Sequence, residues 1–136
     1  METTKHTFES RAHLAAEKKL SGATNCAQAV AVTYADITGL SPESMAAATA
    51  AFGTGMGTMR GTCGALVGAG VVCGMLVPDR VKARAVMKGM FQQFEQRCGA
   101  ATCAELKGVG TGTPLTPCHE CVRHAAEILE SVIENL

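Results

Sequence analysis

The sequence predicts an all-α protein, a compact bundle of about five main helices with a short sixth and two glycine-rich loops. Three observations point there. No stretch shows sustained strict alternation of polar and apolar residues, whereas apolar residues recur at three- and four-residue spacing. Helix-start residues (Ser, Thr, Asn, Pro) and helix-stop glycines bracket the periodic segments. Finally, 22 Ala and 15 Gly among 136 residues leave little side chain between neighbouring backbones, so helices must pack closely.

Taken in order, a first helix runs from about Phe8 to Leu20 and stops at Ser21-Gly22. A second begins at Thr24 or Asn25, carries Cys26, Val30, Thr33, Tyr34 and Ile37 on one stripe, and ends at Gly39. A third follows Ser41, with Pro42 suited to the first helical position, and crosses the Ala-rich stretch to about Phe52. The fourth starts near Thr62 and is uncharged. The fifth follows Pro78-Asp79, carries Val81, Val86, Met90, Phe91 and Phe94, and stops near Gly99. Thr102–Leu106 gives a short turn or two. In the C-terminal segment Val122, Ala125, Ala126, Leu129, Val132, Ile133 and Leu136 form an apolar stripe, with Glu120, Arg123, Glu127, Glu130 and Glu134 elsewhere. The loops 53–61 and 108–114 lack a Gly-Lys-Ser/Thr ending and a preceding strand, so they read as tight turns needing positive φ rather than nucleotide loops. A glycine loop can also aim N–H groups at a sulfur centre.

Length suits one domain over residues 1–136, large enough to fold without a disulfide framework. Twelve basic and twelve acidic residues give no net charge, and without a dense Lys/Arg cluster the chain lacks the footprint of a nucleic-acid binder. The polar segment Met1 to Ser10 does not read as a secretory signal, so a cytoplasmic location with mostly reduced thiols is expected. The uncharged run Cys63 to Val77 is shorter than the roughly 20 residues a membrane span needs. It reads as a buried helix without membrane insertion, in which Gly64/Gly68 and Gly70/Gly74 let another helix lie close.

Seven cysteines, an odd number, require an explanation. Cys26, Cys63, Cys103 and Cys118 each follow a cap candidate (Asn25, Thr62, Thr102, Thr116-Pro117), which puts them in first turns. Thr102 and Glu105 have the spacing of a capping box. Free N–H groups and the helix dipole there favour a thiolate. Cys73, Cys98 and Cys121 have no such advantage and read as buried thiols. Cys118-x-x-Cys121 is a redox spacing, but the βαβ context of thioredoxin is missing. Cys98, Cys103, Cys118 and Cys121 offer an alternative, a structural zinc module. Val122 stands where a haem-attachment motif needs His. His6 and His13 read as solvated, and His124 as a half-exposed helix residue.

Asn25-Cys26-Ala27-Gln28-Ala29-Val30, Phe52-Gly53-Thr54-Gly55-Met56-Gly57, Cys63-Gly64-Ala65-Leu66-Val67-Gly68, Cys103-Ala104-Glu105-Leu106 and Cys118 with Val122 occur in this order. Over about residues 10 to 135 the chain thus resembles the redox-active family defined by four cysteines and a CGAxxG motif. The resemblance implies a small helical protein whose site cysteines are Cys26, Cys63, Cys103 and Cys118. It implies that the four ligate an iron–sulfur cluster or another thiophilic metal, or cycle between dithiol and disulfide with a redox partner. A thiol–disulfide exchange enzyme, with Cys63 or Cys118 attacking, is the neighbouring alternative. The distantly similar split-Soret cytochrome is a haem-bearing dimer. Haem does not carry over to this chain, and its Gly/Ala-rich surfaces are compatible with a homodimer.

Overall fold

The structure, a computed structural model, describes residues 9–136. The expectations for the first eight residues, including His6 and a helix start at Phe8, lie outside the described residues. Eight right-handed helices follow: α1 (Ala12–Leu20), α2 (Cys26–Thr33), α3 (Ala35–Thr38), α4 (Pro42–Thr49), α5 (Gly64–Leu76), α6 (Arg80–Cys98), α7 (Cys103–Lys107) and α8 (Cys118–Glu134). A 3-10 turn, Ala50–Phe52, continues α4. The fold is all-α, and among the described residues extended pairing is limited to one isolated antiparallel bridge, Thr62 with Thr102.

Helix α5 is central because its residues are small and apolar. It packs on α2, α6 and α8, while α1 lies along α8. Gly64 and Gly68 make the α2 contact possible: a Cβ on Gly68 would stand 2.4 Å from the Ala27 carbonyl oxygen, and one on Gly64 would stand 3.3 Å from the Ala27 N and 2.7 Å from the Phe52 carbonyl oxygen of the 3-10 turn. Gly70 faces only the Met87 side chain, and Gly74 meets nothing within 4 Å. The expected close approach is therefore made by the first glycine pair. No helix among the described residues is long and apolar enough to cross a membrane.

Helix ends follow local chemistry. Asp79 caps α6 by accepting from the Val81 and Lys82 N–H groups, and Gly99, at φ 95°, stops it. Ser41 caps α4 with Pro42 at its start. The expected second helix is broken at Tyr34, where the backbone leaves helical geometry, and resumes as α3 until Gly39. Tyr34 gains a partner there. Its hydroxyl donates to the Glu130 carboxyl group at 2.6 Å, which also accepts from the Ser10 hydroxyl and the Arg11 N–H. This corrects the placement of Glu130 on the polar side of α8: it is buried because three donors satisfy it. Val81, in the exposed first half of α6, likewise lies outside the core, whereas Met90 and Phe94 are buried.

Candidate redox site

The site lies where loop 53–61 and the starts of α2, α5, α7 and α8 meet. Asn25 fixes Cys26. Its side chain accepts from the Gln28 N–H at 2.7 Å, while Gln28 returns a bond to the Asn25 N–H at 3.0 Å, a reciprocal capping box. The Asn25 amide also donates to the Ala50 carbonyl, tying α2 to the segment before the glycine loop.

Cys63 and Cys103 are placed together by backbone pairing. The Cys63 N–H donates to the Ala101 carbonyl at 2.7 Å and the Cys103 N–H to that of Gly61 at 3.0 Å, on either side of the Thr62–Thr102 bridge. Two helices thus open side by side, each beginning at a cysteine. The glycine loop closes over them through a left-handed turn in which Thr54, Gly55 and Met56 all have positive φ. At Gly55 only glycine fits, since a Cβ would lie 2.5 Å from Cys103 Cβ. The loop is a tight turn, as its composition predicts, and it forms a wall of the site.

Two caps differ from expectation. Thr102 makes no side-chain cap bond, so the Thr102/Glu105 capping box does not form; Thr102 is extended and engaged in the bridge. Helix α8 is preceded by Pro117 as its cap residue rather than by Thr116. The Thr116 hydroxyl instead donates to the Cys98 carbonyl at 2.9 Å, joining the end of α6 to the start of α8.

The four cysteines Cys26, Cys63, Cys103 and Cys118 border one pocket of about 30 Å³, room for a water molecule or two. Lys19 and Lys107 also line it, with no carboxylate. All seven cysteines are free thiols, and of the seven only Cys118 is partly exposed. The Cys26 and Cys118 thiols both border the pocket and act on each other's protonation. Cys26 is the main cause that pulls Cys118 down to about 6, helped by the Lys107 and Lys19 charges against the opposing effect of burial. Cys118 and burial push Cys26 up.

Cys121 also borders the pocket, which corrects its reading as plain packing. Its thiol is pushed up by Cys63 and Cys98 and by burial. Its single proton serves one neighbour at a time. Cys63 is held below the usual thiol range by Cys121, aided by the Ala65 and Leu66 N–H groups at the start of α5. Cys121 lowers Cys98 too. Cys103 is raised by burial, so helix-start N–H groups lower a thiol at Cys63 alone of the four, Cys118 being lowered by Cys26 and the two lysines. Cys73 is buried in the core, its pKa raised by desolvation. His124 is a part-exposed residue of α8, and no histidine lines the pocket.

The zinc grouping is not gathered at the pocket, since Cys98 does not line it alongside Cys103, Cys118 and Cys121. Among the described residues no three Cys, His, Asp or Glu side chains are placed to hold a single metal ion.

A small all-α protein with a cysteine-lined pocket is the class defined by these features. Residues 24–132 match the family described as "Putative redox-active protein (C_GCAxxG_C_C)". The match covers well over half of the sequence, and the chain belongs to this family. No curated protein and no solved structure matches it, and the expected distant likeness to the split-Soret cytochrome is not shown by the family match.

Proposed function

We propose that the protein is a cytoplasmic redox protein working through a dithiol/disulfide couple formed by Cys26 and Cys118. Their shared place at one pocket, where each acts on the other's protonation, carries the reading. Cys118 is the partly exposed member and the better thiolate, so it attacks. The acceptor is a disulfide of a redox partner or a small molecule. Cys118 forms a mixed disulfide and expels one thiolate; Cys26 then attacks the Cys118 sulfur and expels the second. The acceptor leaves as two thiols, having gained two electrons from the couple, one proton from Cys26 and one from solvent. Lys19 and Lys107 favour an anionic acceptor at the pocket.

A second reading has one specific observation in its favour: all four family cysteines face one pocket that also holds two lysines. Four thiolates are the usual ligand set of an iron–sulfur cluster, and a cluster, unlike a single ion, does not need its donors to converge on one point. With room for only a water molecule or two, the thiols would have to swing outward to admit it. If bound, a cluster would supply one-electron chemistry, with Cys26, Cys63, Cys103 and Cys118 holding it.

Anaerobic purification followed by iron, sulfide and zinc analysis, a visible spectrum and mapping of each cysteine separates the two. The dithiol reading expects metal-free protein that forms a Cys26–Cys118 disulfide reversibly with oxidised glutathione. Stoichiometric iron and sulfide would replace it with the cluster, and metal-free protein with inert thiols would sink both.

A further inference from the structure

Three cysteines, Cys73, Cys98 and Cys121, lie outside the family quartet, and one of them joins it at the pocket. Cys121 borders the same pocket as Cys63, Cys26 and Cys118, and its thiol acts on the protonation of Cys63 and of Cys98, which does not line the pocket. The Cys121 sulfur also lies 3.7 Å from the Thr116 carbonyl oxygen, within the segment that ties α6 to α8. Cys63 and Cys121 are both buried, so an external oxidant meets Cys118 first. The two pairs adjoin. A Cβ on Gly64, beside Cys63, would lie 3.4 Å from Cys26 Cβ.

We propose that Cys63 and Cys121 form a second, buried dithiol couple that receives its disulfide from Cys26–Cys118. The inference rests on the dithiol reading above and adds to it a relay and a store for a further electron pair. The Cys63 thiolate attacks the Cys26 sulfur. The Cys26–Cys118 bond breaks and Cys118 departs as thiolate, the better leaving group of the two. Cys121 then attacks the Cys63 sulfur, the Cys26–Cys63 bond breaks, and the proton lost by Cys121 ends on Cys26. One disulfide has moved inward, one thiolate and one thiol have moved outward, and no external oxidant is consumed. A second acceptor molecule can then oxidise Cys26 and Cys118 again. Cys98, which does not border the pocket, is left as a thiol.

The test uses the full chain, reduced and shown to be metal-free, exposed to excess oxidised glutathione, acid-quenched over time and mapped by peptide mass. The expected order is Cys26–Cys118 first, then Cys63–Cys121, with four of the seven thiols lost at the end. Cys121→Ser should stop at one disulfide and two thiols lost, and Cys118→Ser should form neither bond. A Cys98–Cys121 bond in place of Cys63–Cys121 would overturn the relay, as would a Cys63–Cys121 bond forming at the wild-type rate in Cys118→Ser. Protein that stops at Cys26–Cys118 refutes the second couple alone. Absence of Cys26–Cys118 from wild type throughout refutes the dithiol reading beneath it. Far-UV melting checks that the variants fold, and the wild-type map decides the matter if one does not.

Discussion

Replacing Gly68 by alanine tests the contact that sets α5 against α2. The new Cβ would lie 2.4 Å from the Ala27 carbonyl oxygen and 3.0 Å from its Cα, where nonbonded carbon contacts normally start near ~3.5 Å. Both obstacles are backbone, so no rotamer relieves them and the helices must part by about 1 Å. Overpacking of this kind costs about 1–3 kcal/mol, and the absence of a side-chain escape places it at the upper end. Alanine returns about 1 kcal/mol of helix propensity, leaving a net loss of about 2 kcal/mol. For a chain of this length that lowers Tm by roughly 6–8 °C. Gly74→Ala is the control: its Cβ meets nothing within 4 Å, so propensity alone should raise Tm by roughly 2–4 °C. Thermal melts of both variants, followed by far-UV circular dichroism, give the comparison. If Gly68→Ala melts at or above wild type, the close α2–α5 approach is wrong.

Two further outcomes are expected. Alkylation of Cys118 by iodoacetamide should rise with pH through about 6 and level off above it, because only the thiolate reacts; Cys26→Ala, which removes the main cause of the lowered value, should move that rise to higher pH, and an unmoved profile would disprove the pairing. Tyr34→Phe removes a 2.6 Å hydrogen bond to buried Glu130, which keeps its Ser10 and Arg11 donors, so urea denaturation should show a loss of about 1–2 kcal/mol; an unchanged midpoint would count against that buried network.

Much of the fold is legible because helix boundaries are written in local chemistry. Asn25 with Gln28, Ser41 with Pro42, Asp79, Gly39 and Gly99 act within a turn of the ends they mark. The misreadings share a cause. Thr102, Thr116, Tyr34 and Glu130 are each taken up by a partner remote in sequence: a bridge to Thr62, the Cys98 carbonyl, and the Tyr34–Glu130 bond. A rule based on near neighbours has no access to these. The same holds at the site. The motifs select four of the five cysteines that border the pocket, and Cys118-x-x-Cys121 signals that Cys121 lies one helical turn from Cys118. That Cys121 acts on Cys63 and Cys98 depends on how α5, α6 and α8 pack. Likewise, whether a helix start lowers a thiol's pKa depends on burial and on which neighbour holds the proton.

The central claim, that Cys118 attacks and Cys26 resolves, is tested most directly by removing the resolving thiol. Metal-free Cys26→Ser protein is mixed with oxidised glutathione, quenched in acid and examined by intact and peptide mass. The account predicts that one glutathionyl group is trapped on Cys118, whereas wild-type protein treated alike carries a Cys26–Cys118 disulfide and no adduct. An adduct on another cysteine, or none on Cys118, would contradict it.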